Sequence, residues 1–498
     1  MLKYTGHPLV DVGVATIAAF AGKRDPAQLT EADLNKMADY ITHEYTRQPL
    51  KSFLTVAFTS NAWFSQDAYN PDKPGLSAEE REKRRQKREK WAKHHLRQWS
   101  SGGDESDVEQ DVFTGESAIS VELSGKLSPG RAGRAQVPLA LGDEYINFYT
   151  NGVPGLPVSG TTILSLQAFP LGCAKCSGRL LAVHSDNDEL TYHFAETFLR
   201  ENRKAVQLAQ AAGSKKMPET QFSHRTLLID VLLQANEMQR EAREDELLFS
   251  LTAYHLTNSG QGAGLDIYHL PLEMIGFLRD MQMAEYHQEW EAIVRRAWEI
   301  APRRKKKKDD KPFQPRRNWL YEDLFGLQDS PENARRFLRT YFLRLAARYA
   351  RGDTDPRTSY SLQKEANLVS WKITAEFLRR ILHMDQERVE QIRTLGDNLA
   401  AYVSGQNDRR FFRQFFTVQR YGDLRTALIK ANLAHVRAGH APLITLDPYI
   451  AVFEEGDELA RPDWRLARDL VLIRMVEQLY EQGWLGGNVD AIPEPTDE

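Results

Sequence analysis

The chain has 498 residues, with 65 Lys and Arg against 69 Asp and Glu and a formal net charge of −4. That length supports two or three domains, each able to bury its own core. The slightly acidic total excludes a uniformly basic nucleic-acid coat and leaves only local segregation of charge, while two cysteines exclude a disulfide scaffold and fit a reducing cytosol.

The opening MLKYTGHPLVDVG has no basic stretch before an apolar core and no small-residue cleavage site, so it does not read as a signal peptide. The most apolar run, 9–21, is interrupted by Asp11 and is too short to span a bilayer. A cytoplasmic protein without a membrane partner is expected. Asp11 can cap a helix running through Phe20. Thr30 with Asp33 makes a capping-box-like start for a second helix, with Leu34, Met37, Ala38 and Ile41 at helical spacing. Residues 52–59 alternate like a strand, which SNAWF continues. Ser77 with Glu80 is a full capping box, opening the helix EEREKRRQKREKWAKHHLRQW, which ends near Trp99. A helix polar all round is either solvated or held against a charged partner.

Residues 100–111 form an acidic Gly/Ser-rich linker, and a β-rich segment is expected over 112–185. Within it, SGKLSPGRAGRAQ (124–136) is a basic glycine loop whose Lys126, Arg131 and Arg134 suit phosphate contact. Residues 145–149 read as a strand, 151–160 as a Gly/Pro loop, and 161–169 and 179–185 as two further strands. The joint between the last two carries Cys173 and Cys176. A C-x-x-C on a hairpin tip is half of a zinc knuckle, since two thiolates at that spacing can share one tetrahedral ion. The nearest nitrogens, His184 and His193, fit no common finger. Zinc is therefore a possible cofactor lacking two ligands, and two reduced thiols packing a hairpin are the competing reading.

Helical periodicity returns from Tyr192. Two apolar runs then flank TNSGQGAG (257–264), a hairpin with a glycine tip. GQGAG is not a dinucleotide fingerprint here, because a strand follows it rather than a helix. The polar tip Asn258, Ser259, Gly260 and Gln261 could instead reach base edges in a groove. APRRKKKKDDKPFQPRRNW (301–319) is a basic, proline-containing loop in which Arg303, Arg304, Lys305, Lys306, Arg316 and Arg317 favour a polyanion. Helices follow at 333–351, at 361–383, and in several pieces over 384–487. In the last stretch Arg409, Arg410, Arg413, Arg420, Arg425, Lys430 and Arg437 recur among Phe411, Phe412, Phe415 and Phe416. The Phe positions face a bundle core and the cations face outward.

The sequence contains no P-loop, no H-E-x-x-H, no G-x-S-x-G and no nuclease-type His/Asp cluster. His94 and His95 are adjacent and point different ways. His43, His255 and His269 lie on apolar faces and suit packing or hydrogen bonding. A non-enzymatic role is expected.

Several of these pieces, taken in order, resemble the large subunit of type I-B CRISPR Cascade, the family named for its CXXC–CXXC region. They are TGHPLVDVGVATI, DVFTGESA with RAQVPL, FYTNGVPGLPVSG, FPLGCAKC, LLAVHSD, TNSGQGAGLDIYHLP and RRNWLYEDLF. Where that family usually has a second cysteine pair, this chain has Asp111 and Thr114. The resemblance implies a subunit at the crRNA 5′-handle end that reads the PAM, opens the duplex and holds the displaced strand. The implied partners are crRNA, target double-stranded DNA, the backbone subunits, the handle-binding subunit, a small subunit, and helicase-nuclease or transposition proteins. Alternatives are a metal-dependent nuclease with unrecognised ligands and an assembly scaffold without DNA contacts. The expected fold is α+β: a β-rich N-terminal region with helices, then a mostly helical C-terminal bundle. Expected domains are 1–99, the linker 100–111, 112–383 for handle and PAM recognition, and a small-subunit-like bundle 384–498 that Met384 could begin as an internal start.

Overall fold

The computed structural model describes residues 2–99, 109–140, 146–147, 152–242, 249–258, 262–302, 312–327, 329–455 and 459–493, with side chains at 146–147 and 238–242 excepted. The fold is α+β: among the described residues a four-stranded sheet lies within the first 270 residues, and the remainder is mostly helical. The chain divides into two compact units, Met1–Pro271 and Leu272–Glu498. The boundary drawn from sequence at 383/384 falls inside the second unit.

The first unit is built on an antiparallel sheet ordered Ala174–Cys176, Arg179–Ser185, Leu251–Thr257, Gly264–Leu270. Its register pairs His184 with Thr252 and Leu181 with His255. Successive side chains alternate between the two faces of a strand. On one face His184 Nε2 lies 3.0 Å from Asp11 Oδ2 on helix Pro8–Ala21. On the other, His255 stacks on His224 of helix His224–Ala242, with ring centroids 4.4 Å apart. The sheet therefore carries helices on both faces.

Asp11 sits inside the first helix rather than capping it. Its carboxylate accepts from Thr5 N, Thr5 Oγ1 and Gly6 N, pinning the chain that leads in. Both capping boxes form, at Thr30–Asp33 for Glu31–Glu44 and at Ser77–Glu80 for Ala78–His95. Leu34, Met37, Ala38 and Ile41 are buried, as their spacing predicts.

Several expected elements differ. Residues 52–59 hold the end of the helix Leu50–Leu54, followed by turns. Phe53, Leu54, Ala57 and Phe58 are all fully buried, a spacing of one, three and one that fits a helical face and not a pleat. The stretch 161–169 is the helix Gly160–Ala168, capped by Ser159, whose hydroxyl accepts from Thr162 N. Every residue of that helix is buried, and an apolar run without alternation suits a buried helix as well as a strand. Between 112 and 160 the described strands are only two residues long.

In the second unit the helix expected at 333–351 is Pro331–Phe337, closed by a wide π-turn at Leu338–Phe342. The helix expected at 361–383 breaks at Ser370, which caps a fresh helix Trp371–Arg380. Gln386–Gln406, Arg409–Thr417, Tyr421–Arg437, Leu446–Phe453 and Trp464–Glu481 complete the bundle. Phe411, Phe412, Phe415 and Phe416 are buried while Arg410, Arg425 and Lys430 are exposed, the predicted polarity.

Candidate nucleic-acid interface

The basic helix Ala78–His95 holds eight Lys and Arg against four Glu. Lys83 pairs with Glu79 at 2.6 Å and Arg85 with Glu82 at 3.3 Å. Arg81, Lys90 and Lys93 are exposed and have no acidic partner among the described residues. The helix is anchored by its few apolar positions. Ala92 is buried, and Trp91 stacks on Trp63 with centroids 4.3 Å apart and planes 21° apart. His95 stacks on Trp91 in turn, at 4.8 Å and 9°. Tyr45, nearly parallel to Trp63 at 13°, extends the series to four rings. Both ring nitrogens of His95 face carbonyl oxygens, of Trp91 at 2.9 Å and Glu122 at 3.3 Å. Burial pushes its pKa below the ordinary histidine value, against the two carbonyl contacts, which raise it. His94, its neighbour, points away and is exposed.

Trp63, Trp91 and His95 line a cleft of about 750 Å³, which Ser124, Lys126 and Arg134 of the glycine loop also line. Gln167, from the buried helix Gly160–Ala168, lies behind them at 2 % exposure. Its Oε1 accepts from Trp63 Nε1 at 3.3 Å, and its backbone carbonyl accepts from Tyr45 Oη at 2.5 Å. The amide nitrogen of Gln167 has no partner among the described residues. Tyr69 stands edge-on to Trp63, with Lys87 Nζ 4.9 Å from its ring centre. No protein-family model matches the chain, and no curated protein sequence matches it.

Two of the sequence-predicted residues are brought together, in a way that changes their roles. Asn258 is fully buried rather than at an exposed tip. Its backbone N donates to Val56 O at 2.7 Å, and its Oδ1 accepts from Arg134 Nε at 2.7 Å. It therefore cannot touch a base edge; it holds Arg134. Ser259, Gly260 and Gln261 lie outside the described residues, as do Arg303, Arg304, Lys305 and Lys306.

Arg131, expected to meet phosphate, is 1 % exposed. It ion-pairs with Glu109 and donates through Nη1 to the carbonyls of Val153, Pro154 and Gly155 at 3.3, 3.2 and 2.9 Å. A guanidinium whose donors match a set of carbonyls and a carboxylate is a structural clamp. Lys126, in contrast, is exposed. Part of the expected linker is also structural. Asp111 is buried and accepts from Phe113 N at 2.7 Å, Thr114 N at 3.3 Å and Ser159 N at 2.6 Å.

Cys173 and Cys176 are buried, and no disulfide joins them. Cys173 Sγ donates to Phe169 O at 3.2 Å, while Cys176 Sγ lies 3.0 Å from Thr220 Oγ1. Burial raises the Cys173 thiol well above its ordinary pKa, which favours the protonated form over a thiolate ligand. Among the described residues no cluster of three or more His, Cys, Asp or Glu is placed to hold a metal, so the residues seen here do not complete a zinc site.

In the second unit Arg316 and Arg317 are exposed, with their backbone N–H groups donating to Glu299 Oε2 at 2.9 and 3.3 Å. Arg409 pairs with Asp490 at 3.3 Å and Arg413 donates to Asp490 O at 2.6 Å. The histidines expected to pack divide. His255 is buried, its Nε2 donating to Cys176 O at 3.0 Å, whereas His43 is half-buried and His269 exposed, hydrogen-bonded to Asp39 O and Thr252 Oγ1 respectively.

Trp63, Tyr69, Trp91 and Gln167 were not selected by sequence reasoning. One signal was present. Trp91 is the one large apolar side chain in a mostly charged helix, and such a residue marks the face that packs.

Proposed function

We propose that the chain is a non-catalytic, cytoplasmic subunit of an RNA-guided DNA-recognition complex, the large subunit of a type I-B Cascade. In that role it would bind the 5′-handle end of crRNA, recognise the PAM and stabilise the R-loop. The motif series from TGHPLVDVGVATI to RRNWLYEDLF supports the family. The observation that carries the nucleic-acid role is the pairing of unneutralised cations at Arg81, Lys90 and Lys93 with an aromatic cleft on the same helix. Cations supply sequence-independent affinity for phosphates, and flat rings accept bases. Guide pairing reads the rest of the target, so the subunit needs only shape and short-motif recognition. Among the described residues no helix is long and apolar enough to cross a membrane.

The test is DNA binding by the assembled complex, with crRNA and backbone subunits, across a salt series. Replacing Arg81, Lys90 and Lys93 by Ala should weaken binding of PAM-containing and PAM-less duplex alike. It should also flatten the log–log salt dependence by roughly one unit for each phosphate left without its cation. Unchanged affinity and slope would remove this surface from the interface. A complex that assembles and binds DNA equally well without the chain would overturn the reading altogether.

A further inference from the structure

We propose that the cleft beside the basic helix receives one nucleobase, turned out of a single-stranded segment of nucleic acid. This rests on the nucleic-acid-binding role argued above and names what that surface holds. The volume, about 750 Å³, falls in the range of sites that enclose a small ligand, and is large enough for a base with its sugar. The wall is a column of near-parallel rings in which Trp91 is covered by Trp63 on one face and His95 on the other, so the outer face of His95, at the end of the column, is where a base of any identity would lie flat.

Gln167 supplies the polar group. Its Oε1 is committed to the Trp63 indole N–H, which turns the NH₂ end of the amide to the remaining space. That donor has no protein acceptor among the described residues and is not sealed from the cleft, and the keto oxygens and ring nitrogens of bases are acceptors that could meet it. Lys126 and Arg134 border the same cleft, the second held in place by Asn258, where the phosphates flanking an inserted base would run. A paired base has both its faces and its hydrogen-bonding edge occupied inside the duplex, so only an unpaired, unstacked nucleotide fits.

The occupant could be RNA or DNA, since the ring wall and Gln167 act on the base. The experiment separates them. Full-length protein is titrated with eight-nucleotide single strands of oligouridylate and of oligothymidylate, each carrying one 2-aminopurine, and with a DNA duplex of the same length carrying the same probe. Stacking in the cleft should quench the probe in the single strands and not in the duplex. Tighter binding of the RNA strand would assign the cleft to the guide, and tighter binding of the DNA strand to a displaced target strand.

His95→Ala should weaken binding roughly five- to a hundred-fold, the usual cost of removing one base-stacking ring, and should abolish the quench. Lys126→Ala should weaken binding and leave the quench of bound strand intact. Gln167→Glu keeps the acceptor for Trp63 while replacing the donor, and should reduce affinity at constant fold. Should that core variant fail to fold, the His95 and Lys126 variants decide the matter. Single strands that fail to bind, that bind without quenching, or that bind His95→Ala as they bind the unmodified chain would overturn the proposal. If the assembled complex still needs this chain for salt-dependent duplex binding, only the cleft assignment falls. If it does not, the proposed function falls, and the fluorescence result stands by itself.

Discussion

Arg131 and Arg134 stand three residues apart in one glycine loop, yet one is sealed in the fold and the other borders a cleft. Sequence alone could not separate them, because a loop's charge says nothing about which cations find internal partners. Arg131 finds a carboxylate and three carbonyls among its partners. Arg134 finds Asn258, from a distant hairpin. The same hydrogen bond explains why Asn258, attractive as a base reader beside a glycine tip, is instead a positioning residue. Asn258→Ala should cost about 1–3 kcal/mol of folding stability, since it strips a buried acceptor from a guanidinium. It should weaken DNA and RNA binding only modestly, with no change in sequence preference. Urea denaturation and paired titrations with PAM-containing and PAM-less duplex would check this. A selective loss on PAM-containing DNA would return Asn258 to the role of reader.

Helices whose signals are local were legible. The capping boxes at Thr30–Asp33 and Ser77–Glu80 formed where their spacing placed them, because a cap is an interaction between residues three apart. The strands Arg179–Ser185, Leu251–Thr257 and Gly264–Leu270 were legible for a similar reason, as β-branched and aromatic runs bounded by turn residues. Gly160–Ala168 was not. Its residues are buried on every side, so the periodicity that would betray a helix is missing. Its surroundings also explain Gly13 on helix Pro8–Ala21. A β-carbon at Gly13 would lie 2.1 Å from Ser165 O, a backbone atom that cannot swing aside. The two helices meet there at a distance that only glycine permits. Gly13→Ala should therefore destabilise the chain by roughly 1–3 kcal/mol or more through overpacking. Because Gln167 is on the displaced helix, the variant should also disturb the ring wall that Gln167 braces through Trp63. Thermal unfolding and tryptophan fluorescence report the two effects, and a variant as stable as the parent would show that the helices can part.

At the scale of the whole chain the α+β character was legible and the division into units was not. The boundary at 384 rests on the family resemblance and on Met384 as an internal start, whereas the compact units part at Pro271/Leu272. The reason lies in interactions that span the sequence boundary. Asp469 is fully buried on helix Trp464–Glu481, with Arg468 beside it, Arg335 Nε at 2.9 Å and Arg339 Nη1 at 3.0 Å. Burial pushes its carboxyl up, but Arg468, Arg339 and Arg335 outweigh that and hold it below the ordinary aspartate value. Glu477, on the same helix, accepts from Trp371 N at 2.7 Å. A product starting at Met384 would keep Arg468 and lose Arg335, Arg339 and Trp371. Removing partners from a buried carboxylate typically costs about 3–5 kcal/mol. We therefore expect a fragment of residues 272–498 to unfold cooperatively in urea. A fragment of 384–498 should be less stable by an amount of that order, or fail to unfold cooperatively. Replacing Asp469 by Asn separates this cause from general loss of core. In the longer fragment it should destabilise, because three arginines lose their counter-charge, and in the shorter one it should be close to neutral or stabilising. Equal stability of the two fragments, or the same response of both to Asp469→Asn, would mean that the bundle stands without those arginines and that Met384 could begin a self-sufficient chain.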